Sequence, residues 1–397
     1  MKIEEIKEMA DKYLIPTYGR IEVAFSKGCG AKLYDTQGRE YLDFLSGLAV
    51  NNLGHSHPKV VKAIEDQAKN IIHTSNLYYI KPQAELAKEL SNLSFGGKAF
   101  FCNSGAEANE AAIKLARKYG KTKGGKYEII TMIGSFHGRT LAALTATGQM
   151  KYQYGFEPLM PGFRYTLFND IDAVFEAITP STCAIMLELI QGEGGVNVAE
   201  EKFIKEIRKL CDDQEILLIF DEVQTGIGRT GKMFCYQHYG VRPDVIILAK
   251  ALGSGVPIGA ILAKEELAPL LGPGSHASTF GGNFLACQAA LATLETIREE
   301  NLLENASKMG DYLFKGLSKL KQDHSFVCEV RGKGLMIGME LNIKGASLVS
   351  KCFDKGLLIN CVTEKTLRFL PALIITKEEI DEALGILEEV FKEVKDG

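Results

Sequence analysis

The 397-residue sequence has no apolar run of membrane-spanning length, no paired cysteine spacing and little net charge, and each absence excludes a class of protein. Its longest apolar runs are too short to cross a bilayer, and its acidic N-terminus lacks the basic and apolar regions of a signal peptide. The net charge of −4 gives no electrostatic basis for binding nucleic acid or an anionic membrane surface. We therefore expect a soluble cytoplasmic protein whose partners include neither nucleic acid nor membrane.

The nine cysteines are scattered without CxxC spacing, which favours neither a disulfide framework nor a zinc site. Such cysteines are typical of reduced, mostly buried thiols in a cytosolic protein. His55 and His57 stand two residues apart, but no third ligand is near them in the sequence, so a loop or packing role is expected. No metal site is predicted.

The order of the predicted elements indicates an α/β fold with a large domain and a smaller α+β domain. Helices and strands alternate from Pro82 onwards, which is typical of a mainly parallel central sheet. An N-terminal helix over residues 1–15 precedes a short antiparallel meander, which cannot bury a core alone. The predicted division is therefore 1–50 for an N-terminal segment packing with the small domain, 51–290 for the large domain and 291–397 for the small domain.

Two apolar runs, ILLIF and DVIILA, each end in one ionisable residue, Asp221 and Lys250 respectively. Continuous apolar runs predict strands that are buried on both faces of a parallel sheet. Ligands collect at the carboxyl ends of such strands, where these two residues are expected. A structural ion pair between Asp221 and Lys250 explains the pattern equally well, because buried charges are nearly always paired.

Ser104, Gly105 and Ala106 stand between a predicted strand and a helix that is predicted to end at Gly120. Small residues at a helix N-terminus let backbone N–H groups approach an anion, and the helix dipole adds to the attraction. The local pattern favours an ordinary cap, with Ser104 as N-cap and Glu107 completing a capping box. A phosphate can still use the N–H groups that the cap leaves free.

Phe136 and Arg139 follow another predicted strand. An aromatic ring at a strand end offers a face for stacking a planar ligand, although it equally well plugs the edge of a core. Arg139 offers a planar fork for a carboxylate.

Four polar residues stand in the later part of the chain. Glu193 lies in a glycine-flanked loop, where the backbone bends or moves. Ser278 and Thr279 precede a Gly-Gly turn, and Arg368 stands alone in an apolar strand. A lone arginine in such a strand needs a structural acid or a ligand carboxylate as partner.

Taken in order, these motifs resemble those of the class III (subgroup II) pyridoxal-phosphate-dependent aminotransferases. The resemblance runs through nearly the whole chain and is carried by NSGAEANEAAIKLARK, FHGRTLAALTATG, IQGEGGV, LIFDEVQTGIGRTG, AKALGSGVPIGA, STFGGN and LRFLPAL. It implies PLP-transferase fold type I, pyridoxal 5'-phosphate as cofactor, and a homodimer with shared active sites.

The resemblance implies that Lys250 is the catalytic residue, which binds the cofactor covalently and then carries a proton. The other implied cofactor contacts are Ser104, Gly105 and Ala106 around the phosphate, Phe136 and Val223 on the ring faces, Asp221 at the ring nitrogen, Gln224 at the phenolic oxygen, and Thr279 of the partner subunit at the phosphate. This interpretation predicts that Asp221 and Lys250 flank one pocket without forming a closed salt bridge.

The substrate contacts are implied in the same way. Arg139 binds the α-carboxylate of an acylated ornithine with Ser278 near the acyl group, and Arg368 binds 2-oxoglutarate after Glu193 releases it. Within the family the motifs resemble most those of enzymes that use N2-acetyl-L-ornithine as amino donor. The implied reaction with 2-oxoglutarate gives N-acetyl-L-glutamate 5-semialdehyde and L-glutamate, a step of arginine biosynthesis. Succinylornithine, ornithine, 4-aminobutyrate and a carrier-linked lysine are alternative donors, and a non-catalytic anion-binding α/β protein is the distant alternative.

Overall fold

The computed structural model describes residues 1–394, which form helices and strands in alternation over most of their length. The helices are α1 (Ile3–Tyr13), α2 (Ser46–Ala49), α3 (Pro58–Asn70), α4 (Lys81–Leu93), α5 (Gly105–Thr122), α6 (Leu141–Ala146), α7 (Met150–Gln153), α8 (Ile171–Ala177), α9 (Glu201–Gln214), α10 (Phe284–Glu299), α11 (Leu302–Asp323), α12 (Ala346–Asp354) and α13 (Lys377–Lys392). The strands are β1 (Phe25–Cys29), β2 (Lys32–Asp35), β3 (Glu40–Asp43), β4 (Lys98–Cys102), β5 (Glu128–Met132), β6 (Phe163–Thr166), β7 (Thr182–Glu188), β8 (Ile190–Gln191), β9 (Asn197–Val198), β10 (Leu217–Asp221), β11 (Val245–Leu248), β12 (Gly259–Ala263), β13 (Val327–Lys333), β14 (Met336–Leu341), β15 (Leu357–Leu358), β16 (Asn360–Cys361) and β17 (Thr366–Phe369).

A seven-stranded sheet in the order β4-β12-β11-β10-β7-β5-β6 forms the centre of the fold. Its neighbouring strands pair in parallel from β11 to β6, whereas β12 runs antiparallel to both β11 and β4. The predicted mainly parallel sheet is therefore confirmed, with β12 as its one reversed strand.

Alternate residues of the central strands belong to two separate apolar clusters, one on each face of the sheet. On one face, Leu218 and Phe220 of β10 pack in a cluster that includes residues of α9 and α10. On the other face, Leu217 and Ile219 pack with the alanine-rich side of α5. Because every residue of β10 is buried, the continuous apolar run reflects burial on both faces, as expected for a strand covered by helices.

Two smaller four-stranded sheets flank this core. The N-terminal meander β1-β2-β3 adds β15 of the C-terminal part in parallel, through pairing of Leu42 with Leu357. The second sheet, β13-β14-β17-β16, is antiparallel and contains the hairpin β13-β14. The N-terminal meander and the C-terminal part of the chain therefore share a sheet. The domain boundaries 1–50, 51–290 and 291–397 remain a proposal. No helix within residues 1–394 combines the length and apolar character that crossing a membrane requires.

Helix α5 extends past Gly120 to Thr122, so the prediction that it ends at Gly120 is wrong. Gly120 is buried inside the helix because the chain crosses it closely: a Cβ there would lie 2.2 Å from the carbonyl oxygen of Lys126 and 2.7 Å from Cys183 Cβ. Glycine is needed at this position because of close packing, and it does not end the helix.

We expect Gly120→Ala to destabilise the protein by about 1–3 kcal/mol, because the added methyl group overpacks a tight contact. Gly385→Ala is a matched control, since Gly385 also lies inside a helix but has open space around its Cβ position. That variant is expected to be more stable than the parent by about 0.4–1 kcal/mol. Urea unfolding of both variants measures the two changes, and equal stabilities for them would contradict the packing explanation.

Candidate active site

The carboxyl ends of β7, β10 and β11 meet at one edge of the central sheet. Glu188, the last residue of β7, lies opposite Asp221, the last residue of β10, and Asp221 lies opposite Ile247 of β11. Lys250 follows three residues after Ile247, just beyond the end of β11, at the start of a 3₁₀ helix, Lys250–Gly253. The parallel register therefore brings the three ionisable groups together, as strand ends of such sheets do.

These strand ends border a cavity of about 390 Å³. Ten of the residues predicted from the sequence line it: Ser104, Gly105, Ala106, Phe136, Arg139, Glu193, Asp221, Val223, Gln224 and Lys250. Arg368 lies behind the wall and is bonded to two lining residues, whereas Ser278 and Thr279 line neighbouring surface hollows.

Asp221 and Lys250 both face the cavity, but they form no salt bridge with each other within residues 1–394. Asp221 Oδ2 accepts hydrogen bonds instead from Asn109 Nδ2 at 3.0 Å and pairs with His137 Nδ1 at 2.8 Å. Asp221 Oδ1 accepts from the backbone N–H of Val223 at 3.0 Å. The prediction that Asp221 and Lys250 flank one pocket is confirmed. The alternative interpretation, a structural ion pair between them, is wrong.

Lys250 adopts a backbone conformation that is uncommon for a residue with a side chain, with φ at +46°. Such strained residues concentrate at functional sites, where the surrounding structure holds them in place. Burial lowers the pKa of its amine, and although Glu193 acts in the opposite sense, Arg368 adds to the lowering. A lysine with a lowered pKa has more of its amine free to act as nucleophile and base.

Glu188 has a pKa well above its ordinary value, because it is buried and faces the carboxylate of Asp221. Its carboxyl oxygens accept hydrogen bonds from the backbone N–H of Phe136 at 2.9 Å and of Gly192 at 3.4 Å. Glu188 thus joins the loop that contains Phe136 to the loop that contains Glu193, and both loops border the cavity.

Arg368 is fully buried, and its Nη1 donates to Glu193 Oε1 at 2.6 Å, to Gln224 Oε1 at 3.1 Å and to the carbonyl oxygen of Gly192 at 3.1 Å. Burial opposes ionisation of Glu193, but the adjacent Arg368 outweighs it and holds the pKa of that carboxyl below its ordinary value. The Nη2 of Arg368 is buried without a hydrogen-bond partner among residues 1–394. The guanidinium therefore keeps the two N–H donors of Nη2 for a ligand carboxylate.

Arg139 is exposed and has no carboxylate partner within the described part of the chain. Its guanidinium lies 4.1 Å from the ring centroid of Tyr152 and 5.6 Å from that of Phe136. A guanidinium held over aromatic faces is oriented without losing its hydrogen-bond donors. Arg139 is thus positioned at the mouth of the cavity with its donors available.

Helix α5 begins at the cavity with Ser104 as its N-cap, whose hydroxyl accepts from the N–H of Glu107 at 3.2 Å. The predicted capping box is wrong in its second half, since the Glu107 carboxylate accepts from the N–H of Asn103 at 2.5 Å rather than from that of Ser104. The first N–H groups of a helix have no intrahelical acceptor, and Gly105 and Ala106 supply two of them at the cavity wall. These two N–H groups are available to an anion, as the site predicted from the sequence requires.

Ser278 and Thr279 lie outside this cavity in the single chain. The Ser278 hydroxyl accepts from Asn103 Nδ2 at 3.1 Å and from the N–H of Gly281 at 3.0 Å. Thr279 is exposed in a hollow that it shares with Leu77. Their predicted roles near the acyl group and at a partner's phosphate stay predictions.

Two residues beside Asp221, namely Asn109 and His137, were missed as functional residues by sequence reasoning. Asn109 is a polar residue on the buried alanine-rich side of α5, one helical turn after Gly105, and that misplaced polarity was the available signal. His137 gave no signal beyond its place next to Phe136. Both are buried, and they orient the carboxylate that the sequence identified.

The site residues fit pyridoxal 5'-phosphate. The N-terminus of α5 presents N–H groups for the phosphate, and a Cβ at Gly105 would lie 2.9 Å from Val223 Cγ1, so a side chain there would force Val223 to shift. Val223 and Phe136 both border the cavity and offer apolar surface for a planar ring, while Asp221 is fixed by its neighbours and faces the same space. No cluster of three histidine, cysteine, aspartate or glutamate residues in the described range is arranged to hold a metal ion.

At the carboxyl ends of a mainly parallel sheet, the site combines a lysine of lowered pKa with a fixed carboxylate to which the lysine is not bonded. This arrangement holds an aldehyde cofactor at two points, the lysine and the carboxylate. The fold and the site define a pyridoxal-phosphate-dependent enzyme of fold type I. The chain belongs to the aminotransferase class-III family, whose model matches residues 14–391. The predicted family, fold type and cofactor are confirmed.

The chain is similar to curated relatives over its whole length. It is 56% identical over 387 residues to the acetylornithine aminotransferase of Caldanaerobacter subterraneus subsp. tengcongensis, covering 97% of this chain and 98% of the relative. It is 55% identical over 397 residues to the acetylornithine aminotransferase of Methanocaldococcus jannaschii, with complete coverage of both chains.

Solved structures share the fold. The ornithine aminotransferase from Toxoplasma gondii has a TM-score of 0.95 at 33% identity, covering 98% of this chain and 94% of that one. The acetylornithine aminotransferase from Elizabethkingia anophelis has a TM-score of 0.88 at 34% identity, covering 99% of this chain and 100% of that one. The chain is therefore an aminotransferase, as the sequence predicted.

Proposed function

We propose that the protein transfers the distal amino group of N2-acetyl-L-ornithine to 2-oxoglutarate, giving N-acetyl-L-glutamate 5-semialdehyde and L-glutamate in arginine biosynthesis. Relatives named acetylornithine aminotransferase, at 56% and 55% identity over nearly the whole chain, support this donor. The observation that carries the proposal is the ion pair of the buried Arg368 with the partly buried Glu193 beside Lys250.

The Arg368–Glu193 pair suits an enzyme that handles two unlike substrates in one site. A donor that reacts through a distal amine has no carboxylate next to its reacting carbon, so an uncovered buried arginine would be left unpaired at a large cost. 2-Oxoglutarate has a carboxylate next to its reacting carbon, which needs that arginine. Glu193 covers Arg368 in the first case and releases it in the second.

Pyridoxal phosphate, when bound, supplies an electron sink for the electron pair of the bond that breaks at the amine-bearing carbon. Lys250 Nζ would attach the cofactor at rest. It would then remove the proton from the amine-bearing carbon of the donor and, in the second half-reaction, deliver a proton to the reacting carbon of 2-oxoglutarate, for which its lowered pKa leaves the amine free. The Asp221 carboxylate would keep a proton on the ring nitrogen. Asn109 and His137 hold that carboxylate in place by hydrogen bonds.

The remaining cofactor contacts divide by chemistry. The N–H groups at the start of α5, from Gly105 and Ala106 with Ser104 as cap, hold the phosphate. Phe136 and Val223 enclose the ring. The amide of Gln224, which already touches both Glu193 and Arg368, binds the phenolic oxygen.

The donor's α-carboxylate binds Arg139, which offers its donors at the cavity mouth. Ser278 lies near the acyl group, and Thr279 of the partner subunit binds the phosphate. We infer a homodimer with shared sites, because Leu77, Tyr78 and Tyr79 expose apolar surface next to the hollow that contains Thr279, with exposed fractions of 87%, 69% and 106%.

The proposed location is the cytoplasm. All nine cysteines are free thiols, and six of them are buried, which agrees with a reducing compartment.

A panel of amino donors with 2-oxoglutarate tests the proposal. We expect kcat/KM for N2-acetyl-L-ornithine to exceed that for ornithine and 4-aminobutyrate by about ten-fold or more, since the α-carboxylate and the neutral acyl group are both recognised. N2-Succinyl-L-ornithine and a carrier-linked lysine complete the panel. Faster turnover of 4-aminobutyrate or of the carrier-linked lysine would overturn the proposed donor, and no turnover of any donor would overturn the reaction.

A further inference from the structure

The loop Gly192–Gly195 contains Glu193. Arginines from the C-terminal antiparallel sheet form hydrogen bonds to both of its ends. At its start, the carbonyl oxygen of Gly192 accepts from Arg368 Nη1 at 3.1 Å. At its end, the carbonyl oxygen of Gly195 accepts from Arg331 Nε at 3.0 Å and from Arg331 Nη2 at 2.6 Å. Arg331, which forms the second set of hydrogen bonds, is not among the residues that contact the cofactor or the substrate.

The strand register explains why two arginines reach one loop. Arg331 of β13 lies opposite Gly338 of β14, and Gly338 lies opposite Arg368 of β17. Residues in one such row project from the same face of a sheet. Between the two arginines Gly338 leaves a gap, and Val196 fills it: a Cβ at Gly338 would lie 2.8 Å from Val196 Cβ. The chain that follows Glu193 is thus seated between two guanidinium groups.

Arg331 is itself fixed from the side away from the loop. Its Nη1 donates to Glu329 Oε2 at 2.8 Å and its Nη2 to Glu340 Oε2 at 2.9 Å, and the side chain is 17% exposed. The same Glu340 oxygen accepts from the Thr366 hydroxyl at 2.6 Å. A planar guanidinium with its donors divided in this way is a rigid clamp for a backbone carbonyl.

The two sets of hydrogen bonds differ in what happens to them during turnover. Arg368 changes partner when a substrate carboxylate replaces Glu193, so its hold on the loop is not constant. Arg331 does not line the cavity, and its bonds to the Gly195 carbonyl use no group that faces the cavity, so a substrate bound there has none of them to replace. A loop that is held at Gly195 lets the Glu193 side chain leave Arg368 and return to the same place.

We propose that Arg331 is a positioning residue for amino-donor selectivity: by clamping Gly195 it places Glu193 over Arg368 whenever a distal-amine donor reacts. This inference rests on the proposed function. It implies that loosening the clamp weakens the cover on Arg368. Donors whose carboxylate binds Arg368, such as L-glutamate, then gain relative to N2-acetyl-L-ornithine.

The test compares single-turnover half-reactions of the holoenzyme with N2-acetyl-L-ornithine and with L-glutamate. In Arg331→Met the ratio of the two specificity constants, acetylornithine over glutamate, is expected to fall by about ten-fold or more, because a doubly hydrogen-bonded charged anchor is lost. Glu193→Gln serves as the reference and is expected to move the ratio in the same direction. Arg331→Lys, which keeps the charge but offers a single donor nitrogen, is expected to lie between Arg331→Met and the parent. Arg242→Met, at an exposed arginine away from the site, is the matched control.

A ratio in Arg331→Met within two-fold of the parent, or an equal loss in both half-reactions, would overturn the proposal, since a purely structural role lowers both together. Hydrogen exchange of the cofactor-free protein gives a readout without catalysis: amides at residues 192–196 are expected to exchange faster in Arg331→Met than in Arg242→Met. Unchanged exchange there would also overturn the clamp. Failure of the parent to use acetylornithine would instead overturn the proposed function and leave the exchange result to decide on Arg331.

Discussion

Lys250→Ala is expected to reduce kcat for transamination by about ten-thousand-fold, because one amine both attaches the cofactor and moves the proton. The residue is partly buried and its backbone is strained, which is typical of a functional position. Within residues 1–394 it has no salt-bridge partner, so its removal leaves no carboxylate unpaired and the fold is expected to persist.

The measurement combines steady-state transamination with the visible absorption of the protein after incubation with pyridoxal phosphate and gel filtration. The variant is expected to lose the absorption band of the covalently held cofactor along with its activity. Lys232→Ala, at an exposed lysine, is the control and is expected to match the parent in both assays. Activity of Lys250→Ala within ten-fold of the parent would contradict the assigned role.

Asp221→Asn is expected to lower kcat by about a hundred- to a thousand-fold while the protein stays folded, as with the loss of a group that stabilises charge in the transition state. An amide cannot keep the ring nitrogen protonated. Its NH₂ group would also face donors, since Asn109 Nδ2 lies 3.0 Å from Asp221 Oδ2 and Val223 N lies 3.0 Å from Oδ1. One of those hydrogen bonds is lost whichever way the amide turns.

Activity and retention of the cofactor during dialysis measure this effect, and retention is expected to fall together with kcat. Asp213→Asn, on the exposed end of α9, is the matched control and is expected to leave both unchanged. Should Asp221→Asn retain more than a tenth of the parent's kcat, the carboxylate would not be the group that supports the ring nitrogen.

The strand-end residues were predictable because their signals are local. Asp221 and Lys250 each interrupt an apolar run, and burial of a whole strand makes such an interruption conspicuous in the sequence. Arg368 stands alone in an apolar strand and was predictable for the same reason, whereas Glu193 was singled out by the glycines that flank it. Their mutual bond was implied by the family resemblance, and it agrees with the rule that buried charges are paired.

Contacts made between distant segments left no such signal. Gly120 resembled a helix end because the Lys126 carbonyl that crosses it is visible only in the folded chain. His137 and Asn109 were not predicted as partners of Asp221, since 84 and 112 residues separate them from it along the chain. Arg331 belonged to a glycine-rich hairpin, and only the strand register reveals that it shares a row with Arg368.

The row Arg331–Gly338–Arg368 belongs to a different sheet from the one whose strand ends position Lys250. Substrate choice and proton transfer therefore depend on different sheets. Proton transfer depends on strand ends of the central sheet, whereas coverage of the carboxylate site depends on a separate antiparallel sheet that reaches across to one loop. Mutations in the hairpin β13-β14, unlike mutations at Arg368, whose charge adds to the lowering of the Lys250 pKa, are therefore free to alter which amine is accepted without disturbing that lysine. Such a separation gives the fold a route to new donors through changes in a hairpin that never touches the cavity.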